Sequence, residues 1–326
     1  MTTANHTSNP LALIADDMQA VDRVIAERLT TSVPMIGQIS HYIIAAGGKR
    51  LRPALLLMVS NALGDQNPKK HVLAAVVELI HTATLLHDDV VDESTMRRGR
   101  PTANESFGNP ASVLVGDFLH TRSFQMMVEA GNMRILQVLS DATNIIAEGE
   151  VQQLINTHDA SLDEAGYLQV IRSKTAKLFE ASTQIAAILR GASPEVEAAC
   201  ASYGQALGTA FQIIDDVLDY DGNAQEMGKN LGDDLREGKC TLPLIVAMQR
   251  ASAEDAQTVR AAIEQGSTEQ LSAILSIVKA TGALEATRQA AHDEACRAID
   301  ALQVLPQNSY TQAMRCLAEQ LLVRRT

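Results

Sequence analysis

Tryptophan is missing from this chain of 326 residues, and phenylalanine and tyrosine contribute only five residues each. A site walled by aromatic faces, as cation–π recognition of a carbocation requires, has little to be built from. Positive charge is also scarce: 27 Lys and Arg stand against 39 Asp and Glu, a net charge of −12. That balance leaves no broad basic face and argues against nucleic acid or an anionic membrane surface as partners. A small anion held by a few gathered cations is still compatible. The four cysteines, Cys200, Cys240, Cys296 and Cys316, form no CxxC pair and lack histidines at finger spacing. They read as thiols in a reducing cytosol. No apolar run approaches the roughly 18–20 residues of a membrane span; Pro53 to Val59 and Leu242 to Met248 are among the longest. Residues 1–10 are polar, without a basic-then-apolar leader pattern, so a disordered start and a cytoplasmic protein without stable membrane insertion are expected.

What is present is helix. With 46% hydrophobic and 20% charged residues the composition suits a globular protein with a sizeable core. Apolar residues recur at three and four, no period-2 pattern stands out, and Gly and Pro punctuate the segments. No linker or solenoid repeat divides the chain. The expectation is one all-α domain over 1–326, a bundle of ten or more helices.

Two segments differ from the others. His71 to Asp92 and Tyr203 to Tyr220 are apolar nearly all round, the mark of helices buried in the middle of a large helical protein. Both end in the same pattern, Asp88-Asp89-Val90-Val91-Asp92 and Asp215-Asp216-Val217-Leu218-Asp219. Residues four apart share a helix face, so Asp88 and Asp92 point one way together, as do Asp215 and Asp219. Carboxylates at a helix C-terminus oppose the macrodipole by about 0.3–1 kcal/mol each, and leaving a buried helix unpaired costs more. A cation must offset that cost. Oxygen ligands without His or Cys select a hard ion, magnesium or calcium, and magnesium commonly completes its shell with substrate phosphates. A single acidic run is usually a solvated helix end; a pattern recurring on two buried helices is not. An EF-hand beginning at Asp219 fails, because Ala224 and Asn230 stand where glycine and glutamate are needed.

Basic residues alternate with these clusters. Gly47-Gly48-Lys49-Arg50-Leu51-Arg52-Pro53 precedes the first, Arg97-Arg98 follows it, Lys174-Thr175 lies mid-chain, and Lys229 and Lys239 follow the second. The glycine pair does not have P-loop spacing. A diphosphate held through both metal ions and guanidinium forks needs this mixture.

Together the two DDxxD clusters, Gly-Gly-Lys-Arg-x-Arg-Pro, Arg97-Arg98, Lys174-Thr175, Phe211-Gln212 and Gly238-Lys239-Cys240-Thr241-Leu242-Pro243 resemble the trans-polyprenyl diphosphate synthase family, from about Gly47 to Pro243. The resemblance implies the isoprenoid synthase fold around a central cavity, a homodimer, and two or three magnesium ions per site. It implies that Asp88, Asp92, Asp215 and Asp219 serve the metal. Lys49, Arg52, His81 and Arg98 would hold isopentenyl diphosphate. Arg97, Lys174, Lys229 and Lys239 would hold the allylic prenyl diphosphate, with Lys174, Thr175 and Gln212 beside the reacting carbon. Without the family match, His81 alone would read as a buried, satisfied histidine.

The implied reaction needs no protein nucleophile: cations stabilise the departing diphosphate, and the allylic cation is attacked by isopentenyl diphosphate. Ala83 and Thr84 lie about 6–8 Å deeper than Asp88 along their helix, where short-chain family members commonly carry bulky aromatics. Their small size implies elongation beyond geranylgeranyl length, with farnesyl to octaprenyl diphosphate for quinone side chains the leading reading. Geranylgeranyl, nonaprenyl and decaprenyl products are the alternatives. Phe124 and Met127 are candidates for the tunnel floor, and ordinary core packing explains them equally. A terpene cyclase or a non-catalytic partner subunit are the rival classes. Cyclases typically carry one DDxxD and aromatic walls, and a silent subunit tends to lose ligands that are intact here.

Overall fold

The structure, a computed structural model, describes residues 9–221 and 231–324. Pro10 is buried and opens a short 3-10 turn capped by the side chain of Asn9; residues 1–8 of the segment expected to be disordered lie outside the described residues. From there the described chain is helical almost throughout, as the three-and-four periodicity predicts. First come α1 (Ala15–Arg28), α2 (Pro34–Ala45), α3 (Leu51–Ala62) and α4 (Lys69–Val91). After a small hairpin follow α5 (Ala103–Phe107), α6 (Asn109–Ala130), α7 (Met133–Asn156) and α8 (Glu164–Ile171). A single π-helical turn, Arg172–Ala176, leads into α9 (Lys177–Arg190) and α10 (Pro194–Asp221). The rest is α11 (Asp233–Arg236), α12 (Leu242–Arg250), α13 (Ala253–Gln265), α14 (Leu271–Ala280), α15 (Ala283–Ala301) and α16 (Ser309–Leu322).

Two central helices carry the architecture. On α4, Leu73, Val76, Val77, Leu79, Ile80 and Leu86 are buried, each worth about 1.5–3 kcal/mol relative to exposure. α4 packs chiefly on α6, and α10 chiefly on α9 and α15. Helix ends follow local chemistry. Asn132 caps α7 by accepting from the amides of Arg134 and Ile135 at 3.0 and 3.2 Å, and Pro194 occupies the first turn of α10. Among the described residues, no helix is long and apolar enough to cross a membrane.

Between α4 and α5 the chain departs from helix, with no period-2 pattern to mark it. Met96–Arg97 (β1) pairs antiparallel with Arg100–Pro101 (β2), Arg97 opposite Arg100. The two residues between, Arg98 and Gly99, have φ of 52° and 73°. Positive φ at both central positions matches the strand twist in a two-residue hairpin. This turn aims Arg98 back at the Gly47–Gly48 segment.

Candidate active site

At the end of α4, the three aspartates split. Asp89 is fully buried and faces Arg97, whose Nε lies 2.9 and 3.1 Å from its two oxygens and whose Nη2 lies 2.7 Å from Oδ1. Asp88 and Asp92 each meet a lysine instead. Lys174 Nζ is 3.8 Å from Asp88 Oδ2 and 2.6 Å from Glu150 Oε2. Lys239 Nζ is 3.3 Å from Asp92 Oδ2 and 2.6 Å from Glu237 Oε2. Burial raises the Asp88 carboxyl above its ordinary value, Lys174 opposes that, and Asp92 adds to it. Burial also raises Glu150, up to about 7, against the pull of Lys174. Burial alone would lower Lys239, but Asp92, Glu237 and Asp234 outweigh it and raise the ammonium. Carboxylate repulsion is thus already partly balanced by cations.

At the end of α10 the pattern differs. Asp215 Oδ1 accepts from Arg324 at 2.5 Å, and that guanidinium lies 4.8 Å over the Phe211 ring. Asp216 is buried and accepts from Tyr167 Oη at 2.6 Å and from Gln212 Nε2 at 2.8 Å. Asp219 accepts from the amides of Asp233 and Asp234, both at 3.2 Å, and so caps α11. Burial, then Asp234, pushes its carboxyl up to about 8.

The π-helical turn joins the two ends. Its wider turn carries Lys174 toward Asp88 and Thr175 toward α10, where Thr175 Oγ1 donates to Gln212 Oε1 at 3.0 Å. Isolated π turns concentrate at functional sites. This one is clamped by two glycines: a Cβ on Gly149 would lie 2.9 Å from Lys174 N, and one on Gly208 would lie 2.8 Å from Ala176 Cα. Lys174, Thr175, Gln212, Asp216, Lys239 and Tyr167 line one cavity of about 130 Å³.

The other basic residues gather around Glu78 and His81 of α4. Gly48 has φ +144°, and a Cβ there would meet the Arg98 guanidinium at 2.6–2.8 Å, so only glycine lets the two pack. Arg50, at φ 47°, pairs with Asp22 and lies 3.7 Å from Glu78. The Arg52 guanidinium covers the Phe179 ring at 4.5 Å, and its buried Nε has no hydrogen-bond partner in the structure. Burial lowers Arg52 to about 10, with Glu78 and Asp215 opposing. Burial also pushes His81 well below its ordinary value, reinforced by Arg52, Arg98 and Arg97, so its imidazole is neutral near pH 7. Lys49 is lowered by burial and by Arg324, and raised by Asp215. An orphaned guanidinium N–H among like charges calls for an anion with several oxygens.

The structure therefore brings Asp88, Asp92, Lys174, Thr175, Gln212 and Lys239 to one end of the bundle, with Lys49, Arg52, His81 and Arg98 clustered beside it. Arg97 is committed to Asp89, and Lys229 lies outside the described residues. Glu78, Glu150, Tyr167, Asp234 and Arg324 join the site without a local motif to announce them, and Asp216, inside the second cluster, faces Tyr167 and Gln212. Only the glycine between Glu148 and Glu150 hints at the close approach that places Glu150.

Residues 33–280 match the model of the polyprenyl synthetase family. This chain belongs to that family. It is 52% identical over 307 residues to octaprenyl diphosphate synthase of Escherichia coli strain K12, covering 94% of this chain and 95% of that one. It is 47% identical over 305 residues to the geranyl-diphosphate-specific all-trans-nonaprenyl-diphosphate synthase of Rhodobacter capsulatus, 93% and 94% covered. Among solved structures, polyprenyl synthase from Caulobacter crescentus, complexed with calcium and isoprenyl diphosphate, superposes with a TM-score of 0.94 at 43% identity over 98% of each chain.

The four residues expected to bear on product length lie on α4 and α6, which pack against each other. Ala83 and Met127 are both about 1% exposed and lie in the core. Thr84 Oγ1 donates to the His81 carbonyl at 2.8 Å, and the half-buried Phe124 ring is 5.0 Å from that of His120. The donors of the site also fit the hard ion that the family implies. Among the described residues, no three ligating side chains form a ready cage, so an ion here would need oxygens from a substrate or water beside one or two carboxylates.

Proposed function

We propose that this chain is a long-chain all-trans polyprenyl diphosphate synthase, adding isopentenyl diphosphate repeatedly to an allylic diphosphate, with farnesyl diphosphate as starter and an octaprenyl product destined for a quinone side chain. One observation carries the reading. Lys174 and Thr175, adjacent on the π turn, reach Asp88 of one aspartate cluster and Gln212 beside the other.

In this reading Asp88, Asp92 and Asp215 would hold magnesium against the allylic diphosphate, and Asp219 would support them through α11. The ions, when bound, supply charge neutralisation for the departing diphosphate. Lys174 and Lys239, already beside the aspartates, orient that diphosphate, joined by Lys229. Arg97 would act through Asp89. Lys49, Arg52, His81 and Arg98 orient isopentenyl diphosphate. The carbonyl of Gln212 and the hydroxyl of Thr175 steady the allylic cation as preorganised dipoles. The chain then grows toward Ala83 and Thr84, with Phe124 and Met127 as its floor.

The same proposal takes residues 1–326 as one domain, supported by a single apolar cluster running from Ile14 to Leu321. It takes the protein to be a cytoplasmic homodimer. Exposed Leu114 on α6 and Val151, Leu154 and Ile155 on α7 support a self-association face.

Incubation with farnesyl diphosphate, labelled isopentenyl diphosphate and magnesium, followed by product sizing, tests the proposal. A predominant octaprenyl product is expected. Cyclic hydrocarbons, or no incorporation of label, would overturn it.

A further inference from the structure

Gln212 and Asp216 lie one turn apart on α10, yet the partner that completes their arrangement comes from α8. Tyr167 is 49 positions from Asp216 in the chain and donates its hydroxyl to Asp216 Oδ2 at 2.6 Å. Asp216 Oδ1 takes the Gln212 amide N–H at 2.8 Å, and Gln212 Oε1 takes the Thr175 hydroxyl at 3.0 Å. Four side chains form one line of hydrogen bonds.

We propose that Tyr167 is a positioning residue of the prenyl transfer, fixing Asp216 so that Gln212 presents its carbonyl oxygen, not its amide nitrogen, toward Thr175 and the reacting carbon. The inference rests on the proposed function above.

The logic is one of donors and acceptors. In this arrangement both Asp216 oxygens act as acceptors, Oδ2 toward the Tyr167 hydroxyl and Oδ1 toward the Gln212 amide. Held in place by the phenol on one oxygen, Asp216 demands a donor at the other, and the only donor on Gln212 is its amide nitrogen. The carbonyl must then point the opposite way. Both anchors are buried, Tyr167 and Asp216 each about 3% exposed, so each holds the other in a fixed setting. Burial and the adjoining carboxylates also keep the phenol protonated, as a donor must be. Without the hydroxyl, Asp216 is free to turn, and the Gln212 amide loses its preferred orientation. A dipole facing a developing cation helps only if it is set beforehand.

The test is a mutant cycle in steady-state kinetics. Tyr167→Phe is expected to lower kcat about ten-fold, a modest share of what one preorganised dipole typically supplies, with KM for isopentenyl diphosphate unchanged. Combined with Gln212→Ala, it is expected to add no further loss, because both changes remove the same dipole. Should Tyr167→Phe fail to fold, Asp216→Asn carries the same test, with a non-additive loss again expected against Gln212→Ala. A kcat within two-fold of the unaltered protein, or losses that multiply in the double variant, would overturn the inference. If the unaltered protein itself transfers no prenyl group, the proposed function fails instead.

Discussion

Arg97 grips both oxygens of Asp89 at a position where the carboxylate is wholly enclosed. Truncating Arg97 to alanine leaves a buried charge without its partner. Breaking such a pair costs about 3–5 kcal/mol when fully buried. Because Arg97 is about one-quarter exposed, Arg97→Ala is expected to lower unfolding stability by about 2–4 kcal/mol. Urea denaturation checks this, and a midpoint matching that of the unaltered protein would refute it.

Gly48 gives the second prediction. Its φ of +144° and the 2.6 Å approach to Arg98 leave no space for a methyl group. Gly48→Ala is expected to displace the Arg98 guanidinium and raise KM for isopentenyl diphosphate about ten-fold, the equivalent of about 1.4 kcal/mol. The KM of the allylic substrate should move much less. Equal effects on both substrates would contradict the assignment of Arg98.

Product length provides the third. Ala83→Phe inserts bulk into a closed seam, at an overpacking cost of about 1–3 kcal/mol, and is expected to shorten the products. Met127→Ala opens space at about 2–5 kcal/mol of stability and is expected to lengthen them. Chromatography of the dephosphorylated products decides. Unchanged lengths in Met127→Ala would remove Met127 from the floor.

The thiols give the fourth. Burial, with Glu197 adding, pushes Cys200 up to about 12. Burial and Asp159 raise Cys240 to about 12, against Arg260. At pH 8 only roughly one in 10⁴ of each is thiolate, the reactive form. Cys296, by contrast, is exposed. Iodoacetamide labelling of the folded protein, followed by peptide mass spectrometry, should modify Cys296 well before Cys200 or Cys240.

These residues also mark where the sequence was legible. The central helices could be read because their apolar pattern is local, and the aspartates at their ends because one five-residue pattern occurs twice. The basic cluster was legible as composition, though not as geometry. Nothing in Arg98-Gly99 announces a hairpin in the usual Asn-Gly manner. Nothing in Arg172-Ser173-Lys174-Thr175-Ala176 separates a π turn from ordinary helix. Tyr167, Glu78 and Glu150 escaped for a common reason: an enclosed polar side chain is defined by its partner, and these partners come from distant parts of the chain.

The turn at Arg172–Ala176 has a consequence for how the chain tolerates change. Deleting one residue there would let the backbone return to regular winding, with better hydrogen bonds locally. It would also rotate everything on one side of the cut by roughly 100° relative to the other. Lys174 and Thr175 could then no longer reach α4 and α10 together. The molecule keeps a poorer local geometry because the better one would point two neighbouring side chains at the wrong walls.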